Sequence, residues 1–243
     1  MPVTDSIALI PLTGIGEIEP GTDLARTLAA ALSPANELGP ALCQGDVVVV
    51  TQKIVSKAEG RLVPIDSDDP AAKAALVEQE SVRIVRRRGE LIISETRHGF
   101  ICANAGIDLS NVASGTAALL PEDSDRSARR IRAGLRALLA VDVGVIISDT
   151  FGRTWRRGVT DVAIGCAGVA AVVDLRGTPD ANGRDLVATE VCVADELAAA
   201  AELVMGKDRG IPAAIVRGVP HEWLRRASVH AEIVRPPEED LFR

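Results

Sequence analysis

The sequence predicts an α+β fold, and three observations carry that expectation. The runs "GDVVVV" and "VDVGVII" are apolar, rich in β-branched residues and end in polar turns, as buried strands do. "TDLARTLAAAL" and "PEDSDRSARRIRAGLRALLA" repeat apolar positions at helical spacing behind acidic starts. Strands and helices follow one another without a regular β-α-β alternation, which favours α+β over a doubly wound sheet.

The elements read in order as follows. "SIALIPL" (6–12) is a first strand and "GIGEIEPG" (14–21) a glycine-rich loop. "TDLARTLAAAL" (22–32) is helical. "GDVVVVTQKIVSKAEGR" (45–61) opens as a core strand and runs into a polar loop with two lysines. The stretch 68–87 is helical, with Pro70 in its first turn. "ELIISET" and "GFICANAGI" are paired strands joined by a turn at 97–99. The helix over 121–140 starts acidic, as its dipole prefers. A core strand then ends at "SDT" (148–150), and an apolar, glycine-interrupted stretch covers 161–177. A strand and an alanine-rich helix cover 187–206, and "IPAAIVRG" (211–218) is the last strand. The proline-rich, acidic "RPPEEDLFR" reads as a linker or an ordered extension, so the domain is expected over 1–234 and a tail over 235–243.

Composition excludes several classes. With 243 residues, 47% of them apolar, the chain can bury a large core and is not disordered. Two Trp, three Phe and no Tyr cannot build a base-stacking platform, and a net charge of −7 disfavours nucleic acid as a partner. No apolar run approaches the roughly 20 residues that span a bilayer, and "MPVTDSIALIPL" lacks a basic n-region, so neither a membrane nor a signal peptide is expected. Cys43, Cys102, Cys166 and Cys192 are widely spaced and read as reduced thiols of a cytoplasmic protein.

Familiar catalytic motifs are missing. There is no P-loop and no G-x-S-x-G, and "GIGEIE" has Glu19 where a dinucleotide fingerprint needs glycine. His98, His221 and His230 lack metal-ligand spacing and read as ordinary structural or surface residues.

Two acidic sites remain, "NAGIDLSN" (104–111) and "SDT" (148–150), each placing a carboxylate, Asp108 or Asp149, just past an apolar strand. Taken singly, such residues more often cap a helix or a turn. Taken together, with Ser110, Asn111, Ser148 and Thr150, they make a set of hard oxygen ligands suited to Mg2+ or Mn2+. Arg153, Arg156 and Arg157 follow at once, and guanidinium forks suit phosphate or carboxylate. Lys57 reads either as a solvated loop lysine or as one that reaches a phosphate. "GIGEI" is a plain turn or a close approach to a ligand. "MGKDRGIP" (205–212) is a helix C-cap at Gly206 or a loop that wraps a ligand, and Arg86–Arg88 read as a solvated helix end.

Read in order, "GIGEIEPGTDL", "GDVVVVTQKIVSKAEGR", "NAGIDLSN", "GVIISDTFGRTWRRGVTDVAIGCAGV", "DLRGTPDANGRDL", "VADELAAAAELVMG" and "GIPAAIVRG" resemble the coenzyme F420-0:L-glutamate ligases over nearly the whole chain. "NAGIDLSN" and "SDTFGRTWRRG" are the specific pieces. The resemblance implies a two-lobed α+β fold with mixed and antiparallel sheets, in an intertwined homodimer. It implies an enzyme that uses GTP and a divalent metal to join L-glutamate to F420-0 through an acyl phosphate, then adds γ-linked glutamates. Asp108 and Asp149 would hold one Mn2+ or Mg2+ and Thr150 a second, with K+ as a further ion. Ile15, Gly16, Glu17, Ile18, Gln52, Lys57 and Asn111 would line the GTP site. Met205, Gly206, Lys207, Asp208, Arg209, Gly210 and Ile211 would close over it.

In this last loop the family's prototype is longer and carries a glutamate for the second metal; here the resemblance implies that Asp208 would stand in for it. Arg153, Arg156 and Arg157 would hold the acidic substrates. The tail resembles the point where actinobacterial two-domain versions continue into a flavin-reductase-like domain. The alternative from another class is a non-catalytic GTP- and metal-binding module of a larger enzyme, which would bind nucleotide without releasing phosphate. A flavin or deazaflavin oxidoreductase is a weaker reading, because the chain has no hydride-transfer cofactor motif.

Overall fold

The computed structural model describes residues 6–32, 40–66 and 68–241. In chain order the strands and helices are β1 (Ala8–Pro11), α1 (Leu24–Ala31), β2 (Val47–Thr51), α2 (Gln52–Ala58), β3 (Leu62–Pro64), α3 (Pro70–Gln79), β4 (Ser81–Arg88), β5 (Leu91–Thr96) and β6 (Ile101–Ala103). There follow β7 (Thr116–Ala118), α4 (Ser124–Leu139), β8 (Gly144–Arg153), β9 (Arg156–Ala167), β10 (Val173–Asp174), β11 (Glu190–Val191), α5 (Val193–Met205), β12 (Ala213–Arg217) and α6 (Val229–Glu232). The α+β expectation holds, with one mixed sheet and three smaller antiparallel ones among the described residues.

The main sheet runs β1-β12-β2-β8-β9, antiparallel except for the central parallel pair β2/β8. Side chains alternate faces along a strand, so "VVVV" feeds two cores at once. Val48 and Val50 join a core with α1 and α4, while Val47 and Val49 join one with α5 and α6. This double burial is why the run shows no polar alternation. α1 and α4 are capped by Asp23 and Asp123, which accept from the N–H groups of Arg26 and Arg126. Their core stripes are Leu24, Leu28 and Leu32, and Ala128, Ile131 and Leu135. The small side chains of α5 (Ala194, Ala198, Ala201) bury the second helical layer against the sheet.

The β4-β5-β6 sheet carries α3 over a small core of Val77, Ile92 and Ala105. The expected turn at 97–99 is there, closed by the Gly99 N–H on the Thr96 carbonyl. Four expectations need correction. The lysine-bearing loop after β2 is instead the helix α2, because Ile54 and Val55 bury one side of it in the first core. The helix over 68–87 stops at Gln79, and β4 follows, since Val82, Ile84 and Val85 favour the extended chain that pairs with β5. Arg86–Arg88 are therefore exposed strand residues, not a helix end. Nor does the core strand end at Asp149: β8 leaves the core there but stays paired with β9 out to Arg153↔Arg156.

Residues 1–5 and 242–243, at the start of "MPVTDSIALIPL" and the end of the tail, lie outside the described residues. Among the described residues no helix is long and apolar enough to cross a membrane. The four cysteines are free; burial, above all, pushes the thiols of Cys102, Cys166 and Cys192 up to about 12, which makes them poor nucleophiles.

One glycine fixes the seat of α4. A Cβ on Gly165 of β9 would lie 2.3 Å from the carbonyl carbon of Ser124, a backbone atom that cannot step aside. Gly165→Ala should therefore destabilise by about 1–3 kcal/mol, read as a lower urea midpoint at unchanged slope.

Candidate functional site

The register of the parallel pair sets the site. Thr51 lies beside Ser148, so β2 and β8 end their buried runs side by side. Ligands favour the crevice outside the carboxyl ends of parallel strands. Here a cleft of about 630 Å³ opens, walled by the 15–18 loop, the start of α2, the 108–111 segment, the outer half of β8 and the 206–212 loop. A larger hollow of about 740 Å³ lies around Asp142 and Val143, at the other end of β8. It holds none of the expected metal, nucleotide or substrate residues, and its Arg132 and Arg225 are paired with Asp142 and Glu232, both at 2.7 Å.

A β-bulge between Ile147 and Ser148 marks the point where β8 turns from core to site. Beyond it, strand alternation deals the side chains to two sides. Asp149 shares its side with Ile147 and the α2 core, while Ser148 and Thr150 point the other way, to Asp161 of β9. The Ser148 and Thr150 hydroxyls donate to the Asp161 carboxylate at 3.0 and 2.8 Å. Lys207 donates to Asp161 at 2.6 Å and to the Thr150 oxygen, and pairs with Glu202 at 3.2 Å. Burial works against the ammonium, but Asp161 and Glu202 more than offset it and hold the Lys207 pKa above its usual range.

On the Asp149 side, Asp108 is fixed by paired backbone hydrogen bonds with Ala118. Its carboxylate accepts from the Ser110 N–H at 2.7 Å and meets Lys53 at 2.8 Å. Burial pushes its pKa up, but Lys53 and Ser110 prevail and hold it below the usual carboxylate value. Asp149 has no such lysine. Its carboxylate accepts from the Thr150 N–H, at 2.8 Å. Burial first, then the charges of Asp108 and Asp161, push its carboxyl up to about 7. Nearby, Asn104, Ala105 and Asn111 all have positive φ (49°, 53° and 52°), backbone strain of the kind that collects at functional sites.

Most of the expected residues come together here. Ile15, Gly16, Glu17, Ile18, Gln52, Lys57, Asp108, Asn111, Asp149, Thr150, Gly206, Lys207, Gly210 and Ile211 all line the cleft. Lys57 is nearly buried and held by Glu17. Gln52 donates to Ser56 Oγ and the Leu119 carbonyl, at 2.6 and 3.1 Å. The others do not reach it. Met205 is fully buried in the second core, Arg209 folds back over Gly206, and Asp208 is exposed outside the lining. Lys207, not Asp208, projects into the site. Arg153, Arg156 and Arg157 are exposed on the β8/β9 hairpin beyond the cleft, around an 89% exposed Trp155. Sequence reasoning missed Asp161, Glu202 and Lys53. Asp161 had a signal, since a hairpin through "GRTWRRG" pairs it with Thr150.

Among the described residues no three acidic, His or Cys side chains converge to hold a metal unaided. Two carboxylates, with water and phosphate completing the shell, are what the Asp149 side offers a hard cation.

Comparison with known proteins decides the family. The F420-0:Gamma-glutamyl ligase family matches residues 14–218, the span that contains every residue lining the cleft. The chain belongs to the F420-0:gamma-glutamyl ligase family. It is 44% identical to the coenzyme F420:L-glutamate ligase of Methanothermobacter thermautotrophicus, over 98% of this chain and 99% of the relative. The protein of the same name from Methanopyrus kandleri is 43% identical, over 93% of this chain and 94% of the relative. That from Methanocaldococcus jannaschii is 39% identical, over 82% and 85%. Membership makes this family member an enzyme of the ligase class.

Proposed function

We propose that this ligase joins L-glutamate to F420-0, using GTP and a divalent metal ion, and then extends the product with γ-linked glutamates. The observation that carries this reading is the cleft itself, which gathers Asp108, Asp149 and three lysines beside the 15–18 loop. The relatives' names supply the substrate.

A carboxylate does not react with an amine at neutral pH, because oxide is too poor a leaving group. Transfer of the γ-phosphoryl group of GTP to the F420-0 carboxylate gives an acyl phosphate and GDP. The glutamate amine then attacks the acyl carbon, the C–O bond to phosphate breaks, and the amine loses a proton as the amide forms. Phosphoryl transfer asks the protein mainly for position and charge neutralisation. Asp108 and Asp149 would hold a Mg2+ or Mn2+ ion, and Asp149, crowded by negative charge and with no lysine ion-paired to it, is the ligand that such a cation best satisfies. Bound there, the ion supplies positive charge to the phosphate oxygens. Lys57, pinned by Glu17, offers a preset ammonium to the phosphates. Arg153, Arg156 and Arg157, outside the cleft, suit the phosphodiester and carboxylates of the substrates as these approach. The assembly we propose is a homodimer; the exposed Val82, Val85, Leu91 and Ile101 on the β4-β5-β6 sheet support a second copy.

The test is incubation with GTP, Mn2+, L-glutamate and F420-0, followed by mass analysis for one added glutamyl unit. Nucleotide binding with no phosphate released would instead indicate a non-catalytic module. Lys57→Ala should slow turnover tens- to hundreds-fold, the loss of about 2–3 kcal/mol of transition-state stabilisation. An unchanged rate removes Lys57 from the site.

A further inference from the structure

We infer that the cleft takes a single divalent ion, on the Asp149 side of β8, and that the Lys207 ammonium is the resident cation on the other side. The inference rests on the proposed function for the presence of an ion at all, and goes beyond it in fixing the number of ions and the role of Lys207.

β8 divides the acidic groups into two sets. Asp149 shares one side with Asp108, while Thr150, Asp161 and Glu202 gather around Lys207 on the other. An ammonium has three N–H donors and no acceptor. Those of Lys207 meet three oxygens from three elements: Thr150 Oγ1 on β8, Asp161 Oδ1 on β9 at 2.6 Å and Glu202 Oε1 on α5 at 3.2 Å. The Thr150 hydroxyl spends its own proton on Asp161, so it presents a lone pair to the ammonium. The oxygens that a second metal would need are therefore already coordinated.

Withdrawal of Lys207 would be costly. Asp161 is only 2% exposed, and its other partners are neutral hydroxyls. A buried carboxylate stripped of its only cation is strongly disfavoured. The composition of the 206–212 loop follows: Lys207 projects inward as a cation, and Asp208 has no ion to hold and stays outside.

The test is a count. The full chain is saturated with Mn2+ and a GTP analogue that cannot transfer its γ-phosphoryl group. Bound manganese is then measured by equilibrium dialysis, and its spin coupling by electron paramagnetic resonance. We expect one Mn2+ per chain with the spectrum of an isolated ion. Lys207→Glu, which exchanges the cation for a ligand, should raise the count to two and produce a coupled signal. Lys207→Ala should lower turnover about a hundredfold, and Lys207→Arg should restore part of it.

Two ions per wild-type chain would overturn the inference. That measurement needs no variant, so a Lys207→Glu protein that fails to fold does not rescue it. Two ions with ligation intact would overturn the single-ion inference and leave the proposed function standing. No ion bound and no ligation would overturn the proposed function, and the inference with it.

Discussion

Asp149→Asn is expected to give a folded protein that has lost metal-dependent ligation, with kcat down a hundred- to a thousandfold or more. The same variant should be more stable than wild type in metal-free buffer at pH 8. The two effects have one cause. Burial, together with the charges of Asp108 and Asp161, lifts the Asp149 carboxyl from an ordinary 3.8 to about 7. A carboxyl with a raised folded pKa binds its proton more tightly in the native state than in the unfolded chain. The native state is therefore favoured at low pH, and this contribution is lost as pH rises from about 4 through about 7. Above that window wild type holds a charge that it can satisfy only with a cation. Asparagine keeps an acceptor oxygen for the Thr150 N–H and drops the charge.

Thermal unfolding across pH 5 to 8 should thus show a falling stability in metal-free wild type and a flatter profile in Asp149→Asn. Saturating Mn2+ reverses the order. An ion at a hundred times its Kd stabilises the protein that binds it by about 2.7 kcal/mol, and the variant should gain almost none of this. Wild-type ligation by Asp149→Asn at low Mn2+ would remove Asp149 as a ligand. Such an exchange of stability for function is common where a site must hold like charges together.

What the sequence made legible follows from what local pattern records. Val47–Val50 had to be a strand because nothing polar interrupts it, and α1 and α4 announce themselves through Asp23 and Asp123. Asp108 and Asp149 were legible as short polar breaks after apolar runs. α2 was not, because its lysines look like loop residues until Ile54 and Val55 are seen to reach the core. Nor was β4, because the helix that starts at Pro70 hides the switch of period at Ser81.

Asp161 was missed for a different reason. Its role depends on cross-strand pairing with Thr150, a relation that spacing along the chain does not display. The placement of Lys207 rather than Asp208 in the cleft turns on the positive φ of Gly206, 66°, which sets the direction of the loop. The resemblance supplied the ligand set by position, and the folded chain sorted it by direction.

Asp125→Ala should be the most damaging substitution away from the site, at about 3–5 kcal/mol. Asp125 lies in the first turn of α4, where the helix dipole favours an acid. Its role reaches further, because its carboxylate accepts three backbone N–H groups: Cys166 at 2.8 Å, Val229 at 2.9 Å and His230 at 3.1 Å. One buried side chain thereby ties α4 to the end of β9 and to the start of α6. Alanine leaves those donors without a protein partner. Each orphaned buried group costs about 1–3 kcal/mol, and incoming water returns part of the sum. Against a total stability of about 5–15 kcal/mol that is a large fraction. Asp125→Asn, which keeps one acceptor oxygen, should lose less.

The readout separates structure from chemistry. Asp125→Ala should lower the urea midpoint sharply while kcat per folded molecule stays near wild type, because Asp125 does not line the cleft. A loss of kcat in fully folded Asp125→Ala would mean that the inner end of β9 controls its outer end. Asp161 would then owe its position to Asp125, five residues beyond the cleft at Cys166, and not only to the hydroxyls of Ser148 and Thr150.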